Sequence, residues 1–329
     1  MDPAHQNIRV QKWVAVFSSL LLITKMFAYF LTGSVAILTD ALESIVNVVA
    51  GFIGLYSLYL SAKPRDADHP YGHGKVEFLS AAIEGSMIFI AGLLIIYEAV
   101  KNLVTPSTIQ KLDVGMVLIA STAVVNLVIG LWCVKTGRKN NSLALQASGK
   151  HLLSDTYSTG GILVGLLLIY LTNIMWLDSV VAIIFSFIIL FTGYKIIRSS
   201  LAGIMDERDS ELLTRMIGIL NVNRRENWID LHNMRIIKYG ATLHLDCHLT
   251  VPWYLNVHEA HNEIDALASL VRKEFGESLE LFVHSDGCLD FSCRICSKSN
   301  CPVRKHEVEK RIEWTVENMV SNKKHEVTS

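Results

Sequence analysis

Within the first 200 residues lie six apolar runs, each long enough to cross a bilayer: Trp13–Leu31, Ser34–Leu60, Phe78–Val100, Val114–Thr136, Leu143–Leu171 and Met175–Ile197. A spanning helix needs about 20 such residues. Inside hydrocarbon every backbone N–H and C=O must find its partner within the protein, so runs of this length and spacing are expected to be helices. The second and fifth runs exceed the minimum, which leaves room for tilt or projection beyond the lipid. Hydrophobic residues make up 51% of the 329, and they concentrate before Ser200. The chain therefore divides into a membrane domain over 1–200, a smaller domain over 201–290 and a Cys-containing, charged, helical tail over 291–329. Met1–Lys12 is polar and lacks the apolar core of a signal peptide, so the first run is expected to remain as a helix.

Basic residues set the expected orientation. Arg9 and Lys12, then Lys63, Arg65 and Lys75, then Lys135, Arg138, Lys139 and Lys150, then Lys195 and Arg198 all fall at one set of helix ends. The opposite side holds only Lys101 and Lys111. Both termini are expected in the cytoplasm. A formal net charge of -1 gives no footprint for nucleic acid.

The pattern changes after Ala202. Ser210–Leu220 and Asn256–Phe275 have helical periodicity, while Ile229–Lys238 and Thr242–Val251, joined at Tyr239-Gly240, alternate as strands, with a last strand at Leu279–His284. An αββαβ order predicts a small α+β layer domain, ferredoxin-like or metallochaperone-like, with an antiparallel sheet covered by helices. From Val303 the tail places Val308, Ile312 and Val316 on one helical stripe.

Polar residues interrupt two of the apolar runs. Asp40, Glu43 and Asn47 are spaced three and four apart, so a helix stacks them on one stripe. His151 and Asp155 form an i, i+4 pair in the fifth run. A charge at mid-bilayer costs at least ~2.5–3.5 kcal/mol, so such groups face a partner or an aqueous path. Asn47 or Asp40 alone would fit helix–helix hydrogen bonding. Glu43, Asn47, His151 and Asp155 together suit a four-ligand site for a divalent first-row metal or proton chemistry.

Three further groups lie outside the spans. In the loop after the second run, Asp66, His69 and His73 either gather around one ion or form a solvated polar turn. The second domain carries His232, His244, His248, His258, His261 and His284, half of the chain's twelve histidines, with Asp286 close behind. The run His258-Glu259-Ala260-His261 lacks the second His of a zinc protease at position 262, which is Asn, and no nucleophile–base set suggests an enzyme. Cys288, Cys293, Cys296 and Cys301 are spaced C-x4-C-x2-C-x4-C. In a reducing compartment they are either a metal site, zinc first, or redox-active or simply reduced thiols.

These residues resemble the cation diffusion facilitator family of divalent-metal transporters, in particular its bacterial zinc and iron branch, over nearly the whole chain to about Cys288. Leu38-Thr39-Asp40-Ala41-Leu42-Glu43-Ser44 is similar to the family's second-helix signature, and His151-x-x-x-Asp155 to its fifth-helix ligand pair. The resemblance implies that Asp66, His69 and His73 form a loop site and that His232, His248, His261, His284 and Asp286 form a binuclear site. It implies a salt bridge between Lys75 and Asp206 of different protomers. It also implies a homodimer in the bacterial inner membrane that exports metal against protons, with metal in the smaller domain tightening the dimer. Glu43 and Asn47 stand where the family usually has His or Asp, which leaves zinc first and ferrous iron, manganese and cobalt behind it. A membrane-anchored metal or redox sensor and a passive metal channel are the rival readings.

Overall fold

In the computed structural model, residues 3–105, 110–139, 143–239, 242–276 and 279–327 are described. The chain separates into two compact units, one of residues 1–58 and 79–201, the other of 59–78 and 202–329. The loop after the second apolar run belongs with the second unit.

The first unit is helical: α1 Pro3–Thr32, α2 Val35–Ser61, α3 Val76–Val104, α4 Leu112–Lys139, α5 Leu143–Thr172 and α6 Trp176–Ile204. All six are long and apolar enough to cross a membrane. Their outward faces are apolar, with Phe30, Tyr97, Phe187 and Phe191 largely exposed, as surfaces meant for lipid must be. Among the described residues the interior has three packing centres. Val10, Val14, Ile129, Cys133 and Leu152 join α1, α4 and α5. Ala28, Ile37, Ile119 and Ile162 join α1, α2, α4 and α5, while Val35, Ile95, Ala182 and Ile189 join α2, α3 and α6.

Helix ends inside this unit are satisfied by name. Gly33 adopts φ 67°, and its N–H donates to Tyr29 O at 2.8 Å, closing α1 in the left-handed conformation that glycine tolerates. Buried Asp178 then serves the start of α2. Its carboxylate accepts Ser34 Oγ at 2.6 Å, Val35 N at 2.6 Å and Ala36 N at 3.4 Å. An anion at a helix N-terminus meets both the orphan donors and the dipole.

The second unit follows the expected αββαβ order: α7 Ser210–Val222, β1 Asp230–Tyr239, β2 Thr242–Val251, α8 Val257–Phe275 and β3 Glu280–Gly287. Asp209 caps α7, accepting Leu212 N at 2.9 Å, and Asn256 with Glu259 forms a capping box on α8. The sheet order is β1-β2-β3, and it is mixed. β1 pairs antiparallel with β2, but β3 runs parallel to β2, so the all-antiparallel expectation is corrected. The cause is α8, a crossover that returns the chain to the same end of the sheet. Gly240 of the expected hairpin turn lies outside the described residues.

A bulge between His232 and Arg235 interrupts β1, with Asn233 at φ 52°. The extra residue lets Leu231 and Met234, three apart, both enter the core formed with α7, α8 and Trp314. Asn233 N, freed from the ladder, donates to Ser321 O of the tail at 2.8 Å.

The tail differs most from expectation. Over 303–315 it is not helical; a 3-10 turn occupies Asp290–Ile295 and a single helical turn, α9, Val316–Met319. The Val308 stripe does not become an amphipathic face because Trp314 and Met319 anchor instead, both buried in the sheet's core. Arg224 lies 4.1 Å over the Trp314 ring and donates to Ile312 O at 2.7 Å.

The close crossing of α4 and α5 carries a test. A Cβ at Gly149 of α5 would meet Val134 N at 2.8 Å and Cys133 Cβ at 2.9 Å on α4, whereas one at Gly160 meets nothing within 4 Å. Gly149→Ala should destabilise the detergent-solubilised protein by about 1–3 kcal/mol. Gly160→Ala should be neutral or stabilising. Thermal melts followed by size-exclusion recovery compare the two, and equal effects would contradict this packing.

Candidate metal centres

The first centre lies between α2 and α5. Asp155 is buried, and its Oδ2 accepts a hydrogen bond from Asn47 Nδ2 at 2.8 Å. His151 Nε2 is 3.9 Å from Asp155 Oδ1. The His151 side chain is 44% exposed and that of Asp155 8%, so the pair runs from an accessible end to a closed one. Glu43 interacts electrostatically with Asp155, Asp40 and Lys25. The structure therefore brings Asn47 of α2 and His151 of α5 beside Asp155.

Asp40 has a different role. Its Oδ1 accepts Lys25 Nζ of α1 at 2.9 Å and Thr159 Oγ1 of α5 at 2.8 Å, and both Asp40 and Lys25 are only 1% exposed. The carboxylate is thus neutralised by a buried ammonium one helix away. Lys25 and Thr159 were not singled out from the sequence. A lysine inside an apolar run is the signal, but its partner depends on how α1 rotates against α2.

The second centre is the loop. Asp66 Oδ1 accepts Asp68 N at 3.1 Å and His69 N at 2.7 Å, the geometry of an Asx turn, and His69 Nδ1 lies 2.9 Å away. His73 Nε2 is 3.3 Å from Asp66 Oδ2. Gly72 at φ 87° turns the backbone between the two histidines, whose rings stand 4.3 Å apart. One ligand atom from each of Asp66, His69 and His73 lies within 4.8 Å of the others. The hydrogen bond from His69 holds the exposed Asp66 carboxyl below its usual range, which favours the ionised form that a cation needs.

Strand register builds the third centre. His232 of β1 pairs across from His248 of β2, and His248 across from His284 of β3, so three imidazoles form one row across the sheet. Asp286, two residues beyond His284, shares that face by strand alternation. Asp286 Oδ2 is 3.3 Å from His248 Nδ1 and 3.6 Å from His232 Nε2, and Oδ1 is 3.6 Å from His284 Nε2. His232, His248 and Asp286 hold three ligand atoms within 4.8 Å. His261, on α8, instead lies 3.7 Å from Asp265 of its own helix, with both side chains exposed.

Outer groups support the row. Asp230 Oδ2 is 3.4 Å from His232 Nδ1, and Asp230 also takes His325 Nδ1 of the tail. Burial pushes the Asp230 carboxyl up, but the contacts with His232 and His325 outweigh it and hold the group low. An anionic Asp230 beside His232 Nδ1 helps to orient the ring toward an ion. Lys324 Nζ stands 3.6 Å from Asp286 Oδ1, a cation where a metal would compete. His244 sits apart, 3.1 Å from Glu280, and burial lowers its pKa.

Comparison with known proteins bears on these centres. Residues 12–205 match the family model described as the cation efflux transmembrane domain, and residues 211–288 match that of the cation efflux protein's cytoplasmic domain. The chain belongs to the cation efflux, or cation diffusion facilitator, family. An uncharacterized transporter of Synechocystis is 31% identical over 247 residues, covering 75% of this chain and 80% of that protein. The cation-efflux pump FieF of Citrobacter koseri is 29% identical over 283 residues, 83% of this chain and 90% of its own. FieF of Pectobacterium atrosepticum is 30% identical over 276 residues, 81% and 88% respectively. The chain is accordingly an integral membrane protein of a cation-exporting family.

One group lies at and beyond the end of that match. Cys288 is the last residue of the second model, and Cys293, Cys296 and Cys301 follow it. Lys75 Nζ is 2.8 Å from Asp206 Oδ2 and 4.8 Å from the Tyr239 ring centroid, all within one chain. Glu259, the central acid of the near-miss protease run, is spent on the α8 capping box.

Two substitutions beside the His row should have opposite effects on zinc binding there. Asp230→Asn should weaken it about 10–100-fold by releasing His232. Lys324→Ala should strengthen it a few-fold, on the order of one exposed ion pair, by removing a competing cation. Calorimetric titration in a background lacking Asp66 and Asp155 reads both, and effects of the same sign would contradict these roles.

Proposed function

We propose that this chain exports a divalent metal ion, zinc first and then ferrous iron, manganese or cobalt, in exchange for protons. It would do so as a homodimer in a bacterial inner membrane with both termini cytoplasmic. The observation that carries the reading is the buried Asp155, which accepts from Asn47 and lies beside His151, with Glu43 one turn before Asn47 on α2. Lys25 cancels Asp40, so the remaining carboxylates, Glu43 and Asp155, supply two negative charges, which one divalent ion cancels. Binding needs both carboxylates ionised and His151 neutral, so metal entry expels protons and protonation expels metal.

Oxygen and imidazole donors suit zinc, ferrous iron, manganese and cobalt. On this reading the Asp66 loop gathers ions, and the His232, His248, His284 and Asp286 row, with His261, holds ions that tighten the dimer. The Lys75–Asp206 bridge would re-form between protomers near the membrane boundary.

The number of ligand groups outside the spans also fits a membrane-anchored sensor without transport. The intramembrane centre argues against it, because a sensor has no need for carboxylates placed in lipid at such cost. Purified protein in proteoliposomes with an imposed pH gradient separates the readings, with zinc, ferrous iron, manganese and cobalt compared. Uptake should follow the gradient, vanish in Asp155→Ala and lose its proton coupling or selectivity in His151→Ala. Flux independent of pH would make the protein a channel, and bound metal with no flux would make it a sensor.

A further inference from the structure

Four of the chain's six cysteines fall within fourteen residues, at the point where the family match ends. The structure brings them to one place. After β3 the chain turns through Asp290–Ile295, with Cys296 N donating to Cys293 O at 3.3 Å, and then doubles back to Cys301. Cys288, Cys293, Cys296 and Cys301 all line a single cavity of ≈ 10 Å³, together with Lys298 and Arg304. That is the lower limit for one water molecule and far too small for an organic ligand. All four thiols are free.

The surroundings complete the chemistry. Arg304 holds the turn closed, its Nη1 donating to Cys293 O at 3.3 Å and its Nη2 to Cys296 O at 3.4 Å. Lys298 Nζ is fixed on Asn227 Oδ1 at 2.8 Å. Four thiolates around a divalent ion carry a net charge of minus two, and the Lys298 and Arg304 cations at the same cavity offset it. The C-x2-C spacing at its centre is that of structural zinc ligands. Beyond β3 the chain has little regular structure, one 3-10 turn and α9. The cysteine loop itself is held by a small cluster of Ile229, Ile295 and Cys296. Such a segment gains most from a metal staple.

We infer that Cys288, Cys293, Cys296 and Cys301 form a closed tetrathiolate site for one structural zinc-type ion, fastening the tail to the sheet domain. It is separate from the transport centre and the His row and does not depend on transport. Among the described residues, only the Asp66 and His232 groups hold three ligand atoms within 4.8 Å of one another. Metal would therefore draw the four sulfurs inward from the cavity wall. Soft thiolates select zinc over the harder cations that carboxylates accept. With no open position, the site serves to hold the fold and leaves no ligand position for a reacting molecule.

The test uses the full chain purified under reducing conditions with its metal counted. In a background carrying Asp66→Ala, Asp155→Ala and Asp286→Ala, one zinc per chain should remain, and adding Cys293→Ser with Cys296→Ser should remove it. Cobalt exchanged into that background should give a thiolate-to-cobalt charge-transfer band. The four thiols should resist alkylation until a strong chelator strips the ion. These last two measurements need no cysteine variant, so they decide the matter even if that variant misfolds. Immediate alkylation of the metal-replete protein, absence of the band, iron with acid-labile sulfide, or a mass two hydrogens lighter per disulfide would each overturn the site.

Discussion

An unpaired charge cannot be left in hydrocarbon, and the membrane unit is arranged around that constraint. Removing one partner of a buried ion pair costs about 3–5 kcal/mol, because the other charge stays behind unpaired. Lys25 and Asp40 meet this by pairing across α1 and α2, with Thr159 of α5 as a third contact. Asp178 meets it differently, by taking the first donors of α2. Among the described residues, Glu43 and Asp155 are the carboxylates near the pair that no ammonium ion-pairs. They are therefore the groups for which a mobile cation, metal or proton, is the natural partner. The fixed pair ties three helices together; the variable pair is the one to which we assign the proposed exchange.

The second unit places ligands by strand register instead of helix spacing. One pairing row carries His232, His248 and His284, and strand alternation adds Asp286. The β1 bulge keeps His232 in that row while Met234 still reaches the core. The tail then closes over the same face, with Ser321 on the bulge, His325 on Asp230 and Lys324 beside Asp286. Packing of Trp314 and Met319 thus bears directly on which groups surround the row. If thiolates also fix the turn at Cys293 and Cys296, the tail has anchors at both ends.

Much of this was legible in the residues. Six apolar runs dictate six helices because lipid allows little else, and the i, i+4 spacing of His151 and Asp155 declares a shared face. Asp66, His69 and His73 are close enough in sequence for a turn to gather them. What stayed hidden depends on long-range geometry. The Lys25–Asp40 pair needs the rotation of α1 against α2, which hydropathy does not carry. The three-histidine row needs the parallel pairing of β3, set by the α8 crossover. The tail illustrates the opposite error: Val308, Ile312 and Val316 have helical spacing, yet burying Trp314 and Met319 outweighs the local pattern. His261 shares the histidine-rich composition but points from α8 to Asp265.

We propose that a metal ion is held between α2 and α5 by side chains that lie within the membrane. The direct measurement is zinc titration of a chain carrying Asp66→Ala, His232→Ala and Cys293→Ser, which disables the loop, sheet and thiol groups together. The account predicts one remaining site per chain, with protons released on binding, that disappears when Asp155→Ala is added to a still monodisperse protein. No remaining site, or one that survives the loss of Asp155, would contradict it.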